Sequence, residues 1–226
     1  MQKALFICTA AFIILSGGNC KKNNSPAVDN GDYQPLTVGS EWNYTTTGTT
    51  GSGPVNSVFK LTVTNKDTVS SGKTYKVISN SIGQNEYYNK SGSDYYRISF
   101  FAALPQPVEV LYLKDNLSIG GAWSEIKNVT VTGIPFPVPV NLSFVVEKNK
   151  FDTTMDGTTY KDVIKVRLTP TTTLATITSD ITYYYARKVG LFYNKTIMAI
   201  PTPISVNVNT VTKIELLYDQ IKLSFF

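Results

Sequence analysis

The chain has 226 residues, a formal net charge of +5 and no histidine, and only 16% of its residues are charged. Without histidine, His-dependent serine and cysteine triads and His-bearing zinc sites are excluded, and so is the commonest general base. The basic excess gathers nowhere beyond Lys21-Lys22, so nucleic acid, which demands a basic patch, is not an expected partner.

In chain order, the first predicted element is an export signal. Met1-Gln2-Lys3 is a minimal basic start, and Ala4 to Leu15 is apolar. That run is too short to span a bilayer, which needs about 20 residues, and fits a cleaved signal covering 1–19. Cys20 follows as the expected lipidation site. Several acyl chains, each worth about 0.8 kcal/mol per buried CH₂, anchor stably where one does not. Gly17 and Asn19 stand where such signals usually carry Leu and a small residue, and Leu15 lies two positions early. An ordinary secretory signal cut after Gly18 would instead leave Cys20 as a stray thiol. Cysteine usage favours the lipid: the other cysteine, Cys8, falls in the discarded segment, so the mature chain holds one Cys at its start and no internal disulfide. Residues 20–34 read as a lipid-anchored flexible linker, polar, with Gly, Pro, Asn and Asp. Extended, it would reach about 45–50 Å.

The remainder, 35–226, is predicted to be all-β: one strongly curled antiparallel sheet, or a barrel-like or sandwich domain, of about 10–12 strands. Thr, Val, Ile, Tyr and Phe alternate with polar residues in short runs, as in Phe59-Lys60-Leu61-Thr62-Val63 and Ile204-Ser205-Val206-Asn207-Val208. The runs place strands near 41–47, 57–65, 73–80, 84–90, 94–100, 108–114, 123–132, 140–151, 159–169, 174–187, 190–199 and 204–219. Hairpin turns are expected at Ser71-Gly72, Ser91-Gly92 and Asp156-Gly157.

Three blocks recur in order. Leu36-Thr37-Val38-Gly39-Ser40-Glu41-Trp42 matches Leu117-Ser118-Ile119-Gly120-Gly121-Ala122-Trp123, and these hold both tryptophans of the chain. Asp67-Thr68 with Gly72, Thr74, Tyr75 and Lys76 matches Asp152-Thr153 with Gly157, Thr159, Tyr160 and Lys161. Tyr87-Tyr88 with Lys90 matches Tyr184-Tyr185 with Arg187. The expectation is an internal duplication, with related halves at about 35–114 and 116–219.

The opening Pro35-Leu36-Thr37-Val38-Gly39-Ser40-Glu41-Trp42-Asn43-Tyr44 resembles that of many uncharacterised envelope lipoproteins of Bacteroidota, which carry Pro-Leu-x-x-Gly-x-x-Trp-x-Tyr. Their later Tyr-Tyr-Ala-x-Gly-Val-Gly-Leu block resembles Tyr184 to Leu191, with Lys188 in place of Gly. The resemblance implies an envelope lipoprotein, tolerates a loose signal box, and implies no activity.

No catalytic residue, metal site or cofactor is expected. Asp162 shares its alternation with Tyr160, Ile164 and Val166 and would be a perturbed carboxylate if buried; the alternative is a solvated rim position. Asp152 and Asp156 flank a turn but lack the oxygen density of a calcium loop. Adjacent tyrosines point to opposite faces of a strand, so Tyr87, Tyr95 and Tyr184 are candidates for exposed rings that stack on a glycan, or for cross-strand packing. Three segments are both proline-rich and apolar, 101–107, 134–139 and 200–203. If they gather at one end of the sheet, Leu104 and Phe136 would help form the lip of an apolar groove or touch a membrane; otherwise they fold over an edge. The leading expectation is a non-enzymatic envelope lipoprotein with a binding or assembly role. The alternatives are a carrier of a hydrophobic ligand in a curled-sheet cavity and a glycan-binding module. The membrane is the partner through the N-terminal lipid; a hydrophobic ligand, a glycan or an envelope protein are possible others. The expected address is the outer membrane facing the periplasm, with surface exposure as the alternative.

Overall fold

The computed structural model describes residues 31–99, 107–130, 134–201 and 206–215. These form twelve antiparallel strands: β1 (Glu41–Thr50), β2 (Gly53–Ser70), β3 (Lys73–Asn80), β4 (Glu86–Ser91), β5 (Asp94–Ser99), β6 (Val108–Lys114), β7 (Ala122–Val129), β8 (Val138–Met155), β9 (Thr158–Thr172), β10 (Thr178–Ala186), β11 (Gly190–Ile200) and β12 (Val206–Glu215). Ser71-Gly72 and Asp156-Gly157 both have positive φ at the two turn positions, the geometry that matches the twist of tight hairpins. The β4–β5 turn falls one residue later than expected, at Gly92-Ser93. Strand β2 runs well past the predicted 65. A register shift between Val63 and Asp67 takes up the polar Asn65-Lys66 step as a bulge, so pairing resumes beyond it.

The strands make a single sheet in the order β6-β5-β4-β3-β2-β1-β12-β11-β10-β9-β8-β7. It is therefore two six-stranded meanders joined where β1 pairs with β12, Tyr44 opposite Ile214 and Gly48 opposite Thr210. The sheet curls until its edge strands meet. Trp123 Nε1 donates to Leu111 O at 2.8 Å, and Leu111 N donates to Glu125 Oε2 at 2.8 Å. Side chains thus close the barrel between β6 and β7 where no backbone ladder does, and they protect part of an otherwise open edge.

Because every neighbour is antiparallel, the connections divide cleanly. Those after β1, β3, β5, β7, β9 and β11 leave from one end, the rim; those after β2, β4, β6, β8 and β10 leave from the other, the base. The described part of the proline-rich connection after β7, 134–137, belongs to the rim; 101–106 and 202–205 lie outside the described residues.

The core fills the base half of the barrel, where Trp42, Tyr44, Val63, Tyr112, Phe144 and Tyr185 interlock; Trp123 lies flat on Phe144, centroids 5.0 Å apart. A smaller cluster sits outside the wall. Register shifts between Val146 and Thr153 bend the β8–β9 hairpin, and Tyr160 stacks on Phe192 with centroids 3.8 Å apart.

The two Gly-x-x-Trp segments make the same contacts. Gly39 N donates to Val63 O, Val63 N to Ser40 O and Ser40 N to Thr37 O; Gly120 N donates to Val146 O, Val146 N to Gly121 O and Gly121 N to Ser118 O. Each indole then bonds a carbonyl across the structure, Trp42 to Val189 and Trp123 to Leu111. Replacing either tryptophan with phenylalanine strips one carbonyl of its donor. Each change should cost about 1–2 kcal/mol, seen as a lower urea midpoint with an unchanged slope.

The start of the fold corrects the linker expectation. Asp32, Tyr33 and Gln34 are packed into the base: Tyr33 is fully buried and Gln34 nearly so. Lys90 pairs with Asp32 at 2.8 Å. Arg187 donates to Gly31 O at 2.9 Å, and its guanidinium lies 4.8 Å from the centre of the Tyr33 ring. Composition suggested a linker here because Asn, Gly and Asp also serve turns that pack against a barrel end.

Candidate functional site

The barrel interior is not uniform along its axis. Most inward-facing residues of the base half are buried, with Trp123, Leu191 and Ile214 half-buried. Towards the rim, the inward-facing Phe59, Leu142, Leu168, Tyr183, Thr46 and Thr212 are only half-buried. Twelve strands enclose more space than the eight whose side chains just fill a barrel. The interior is thus mixed along its length: Val129, Val138, Pro170 and Ile181 at the rim end also face inward and are buried. Its walls differ. Leu142, Leu168 and Tyr183 supply an apolar side from β8–β10, while β1, β2 and β12 present Thr46, Ser57 and Thr212, the Thr46 and Thr212 hydroxyls bonded to each other at 2.8 Å.

The floor of the barrel is aromatic and polar. Tyr112 lies at its centre, 5.9 Å from Tyr88, 6.3 Å from Tyr95 and 5.5 Å from Tyr185 between ring centroids. Arg97 joins them from β5. It is cross-strand partner to Tyr88 on one side and Val110 on the other, both inward-facing core residues, and its guanidinium carbon is 6.0 Å from the Tyr112 ring centre. The Tyr88 hydroxyl donates to Glu86 Oε2 at 2.6 Å. Burial pushes the hydroxyls of Tyr88, Tyr112, Tyr183 and Tyr185 up from their ordinary range, so all four are neutral donors at physiological pH. Two polar atoms of this floor are buried without a hydrogen-bond partner: Arg97 Nε and the Tyr112 hydroxyl. Buried donors are almost always satisfied, and an unpaired one costs about 1–3 kcal/mol. Two together are a feature to explain.

The tyrosine candidates fare unevenly. Each pair does divide between faces, but Tyr95 is the inner member, not the outer one, and is fully buried. Its hydroxyl donates to Asp115 at 2.8 Å and accepts the Tyr33 N–H at 3.3 Å. Tyr87 faces outward on β4 and is half-buried. Tyr184 faces outward on β10 but packs edge-on against Phe192 and Tyr193. Strands β3, β2, β1, β12 and β11 lie between the two, so they do not share a strip. Phe136 is exposed at the rim. Leu104 lies outside the described residues. Arg97 went unnoticed for the same reason that Tyr95 was misplaced: the two share a strand face, and turning one inward turns the other.

The acidic candidates are structural. Asp162 sits at a positive φ of 52°, ion-pairs with Arg187 and accepts the Tyr33 hydroxyl at 3.1 Å. Asp152 accepts the Asp162 N–H at 3.2 Å, and Asp156 pairs with Lys213 at 2.9 Å. Among the described residues, no group of three His, Cys, Asp or Glu side chains is placed to hold a metal ion. A groove of about 420 Å³ runs outside the wall between the β8–β9 hairpin and β1–β12, lined by Thr45, Thr47, Met155, Phe192 and Lys213 among others.

No protein-family model matches the chain, and no curated protein matches it in sequence. Two solved structures resemble it. One is of a protein assigned as a lipoprotein from Parabacteroides distasonis, with 12% identity over 81% of this chain and 96% of that one, at a TM-score of 0.47. The other is of a protein assigned as exported, with a YmcC-like fold, from Bacteroides fragilis. It has 10% identity over 80% of this chain and 96% of that one, at a TM-score of 0.37. At these values the likeness carries no information about ligand or activity.

Proposed function

We propose that this is a non-enzymatic, lipid-anchored protein of the cell envelope that holds a small amphipathic ligand in the rim half of its barrel. The supporting observation is the set of inward-facing residues towards the rim that stay half-buried, Leu142, Leu168 and Tyr183 on one wall and Thr46, Ser57 and Thr212 on the other. The same reading takes the two halves as products of a duplication, supported by their matched Gly-x-x-Trp contacts. It also places the anchor at Cys20, on the outer membrane facing the periplasm.

The glycan reading is less well supported, since Tyr87 and Tyr184 are far apart and Tyr95 is inside. Native mass spectrometry of the purified protein should reveal a copurifying amphiphile released on denaturation. Recovery of only ligand-free protein from membranes, and no uptake of amphiphiles afterwards, would count against the lumen. The anchor is tested separately: Cys20→Ser should move the protein from the membrane fraction to the soluble one and abolish incorporation of labelled fatty acid. Unchanged membrane association would sink the lipidation proposal.

A further inference from the structure

We infer that the base of the barrel seats on the membrane, with four lysines meeting anionic phospholipid headgroups and two exposed apolar side chains entering between them. This rests on the anchor at Cys20 as the tether that brings the base to a bilayer, and it needs nothing of the lumen.

Charge is spread unevenly along the barrel axis. Among the described residues, no charged one lies in a rim connection. At the other end Lys66, Lys148, Lys150 and Lys188 are exposed, and none has a carboxylate partner among the described residues. The other described lysines each pair with a carboxylate. All four unpaired lysines belong to the base. Val63 and Val146 bond the base turns at Gly39 and Gly120. Lys66 lies in the irregular step of β2 just after Val63, and Lys148 and Lys150 lie in the matching steps of β8 after Val146. Lys188 is in the β10–β11 connection. Carboxylates of the base are already held: Asp32 by Lys90, Asp67 by Lys76 and Asp162 by Arg187, while Asp115 accepts the Tyr95 hydroxyl. Two of the lysines are carried under backbone strain, Lys150 at a φ of 52° and Lys188 at 64°, in the region that glycine or asparagine occupies more readily.

Apolar groups stand at the same end. Val38 and Ile119 hold matching places in the two Gly-x-x-Trp turns, and they are 55% and 66% exposed. Exposed aliphatic side chains among lysines suit the boundary of a bilayer, where the first leave water and the second face phosphate. The tether arrives here too. Gly31 O accepts from Arg187, the neighbour of Lys188, and 11 positions separate it from Cys20, a coil span of about 17–20 Å. Lys21 and Lys22 extend the run of cations towards the anchor. Each lysine close to an anionic surface strengthens binding about fivefold.

The test uses the full chain carrying Cys20→Ser, so that the seat is read without the lipid. Co-sedimentation compares vesicles of mixed phosphatidylglycerol and phosphatidylcholine with vesicles of phosphatidylcholine alone. The mixed vesicles should bind at least tenfold more strongly at low salt, and about 0.5 M salt should erase most of the difference. Changing Lys66, Lys148, Lys150 and Lys188 together to Gln should weaken binding at least tenfold. The same change at Lys60, Lys165, Lys195 and Lys213, which lie on the strands of the wall, removes equal charge and should leave binding within about threefold. A polarity-sensitive dye on Ser118→Cys, at the base, should be reached by a quencher carried on the headgroups; the same dye on Gln84→Cys, at the rim, should not. Equal losses from the two sets of lysines would mean that net charge rather than this face draws the protein to lipid, and a rim dye quenched in preference would reverse the orientation. Either result overturns the inference, as does the lack of any preference for anionic vesicles. None of these bears on the anchor, which incorporation of labelled fatty acid tests by itself.

Discussion

Gly48→Ala should lower the melting temperature by about 10 °C, the largest effect expected of any single methyl group in this protein. Gly48 lies on β1 opposite Thr210 of β12, where the two meanders join. Its φ is 141°, and a Cβ built there would lie 2.0 Å from Asn209 O and 2.8 Å from Thr210 Cα. These are backbone atoms of the neighbouring strand, which cannot swing aside like a side chain. Either β12 is pushed away and its ladder bonds stretch, or the substituted residue holds a strained conformation. A cost of about 3 kcal/mol or more follows, and for a chain of this size each kcal/mol is worth about 2–4 °C. Gly53→Ala is the control. Gly53 also has a positive φ, 116°, but nothing stands within 4 Å of its would-be Cβ. It should lose only the strain of holding a side chain at positive φ, about 1–2 kcal/mol. Circular dichroism melts of the two variants compare crowding with strain directly; equal melts would mean that β1 and β12 do not meet in this register.

Tyr33→Ala should be almost as damaging, at about 3–4 kcal/mol, although it lies before the first strand. The ring is fully buried, stacks beneath Arg187, and gives its hydroxyl proton to Asp162. Its removal leaves the Arg187–Asp162 pair over a cavity and frees the segment 31–34 from the base. Limited proteolysis should then cut in this segment, where the parent resists. Tyr33→Phe separates the hydroxyl from the ring and should cost only about 1 kcal/mol. The pH dependence follows from the raised phenol. Burial, opposed by Arg187 and reinforced by Asp162, pushes Tyr33 from 10.0 up to about 12. Its folded value exceeds its unfolded one, so the associated stability is complete below pH 10 and is lost as pH rises through about 12. Burial raises Tyr88, Tyr112 and Tyr185 in the same direction, so Tyr33→Phe should reduce the alkaline loss of stability without abolishing it; an unchanged profile would show that Tyr33 contributes none of it.

Much of the architecture was legible because a half-buried strand writes its period into the sequence. All twelve strands fall where alternation placed them, and the two turns with Gly after Ser71 and Asp156 have the backbone geometry their residues demand. What alternation does not carry is its own phase. Tyr95-Tyr96-Arg97 reads equally well with either face inward, and the arrangement with Arg97 outside is cheaper taken alone. The neighbouring strands decide otherwise, since Arg97 must follow Tyr88 and Val110. A tertiary contact, invisible in one strand, therefore hid the most informative residue of the candidate site. The β-bulges were hidden likewise: nothing at Asn65-Lys66 distinguishes the end of a strand from a step within one.

The pairing of β1 with β12 also has a consequence for timing. Thr46 and Thr212, bonded through their hydroxyls, are separated by 166 positions in the chain. During synthesis the first strand lacks one of its two neighbours until nearly the whole domain has been made. Contacts this distant are slow to form, since loop closure must be met before they contribute. A nascent chain that cannot complete its barrel early stays threadable for longer, and a polypeptide bound across a membrane must be threaded before it folds. The arrangement that seals the sheet at its middle thus also defers the fold until the chain is nearly complete.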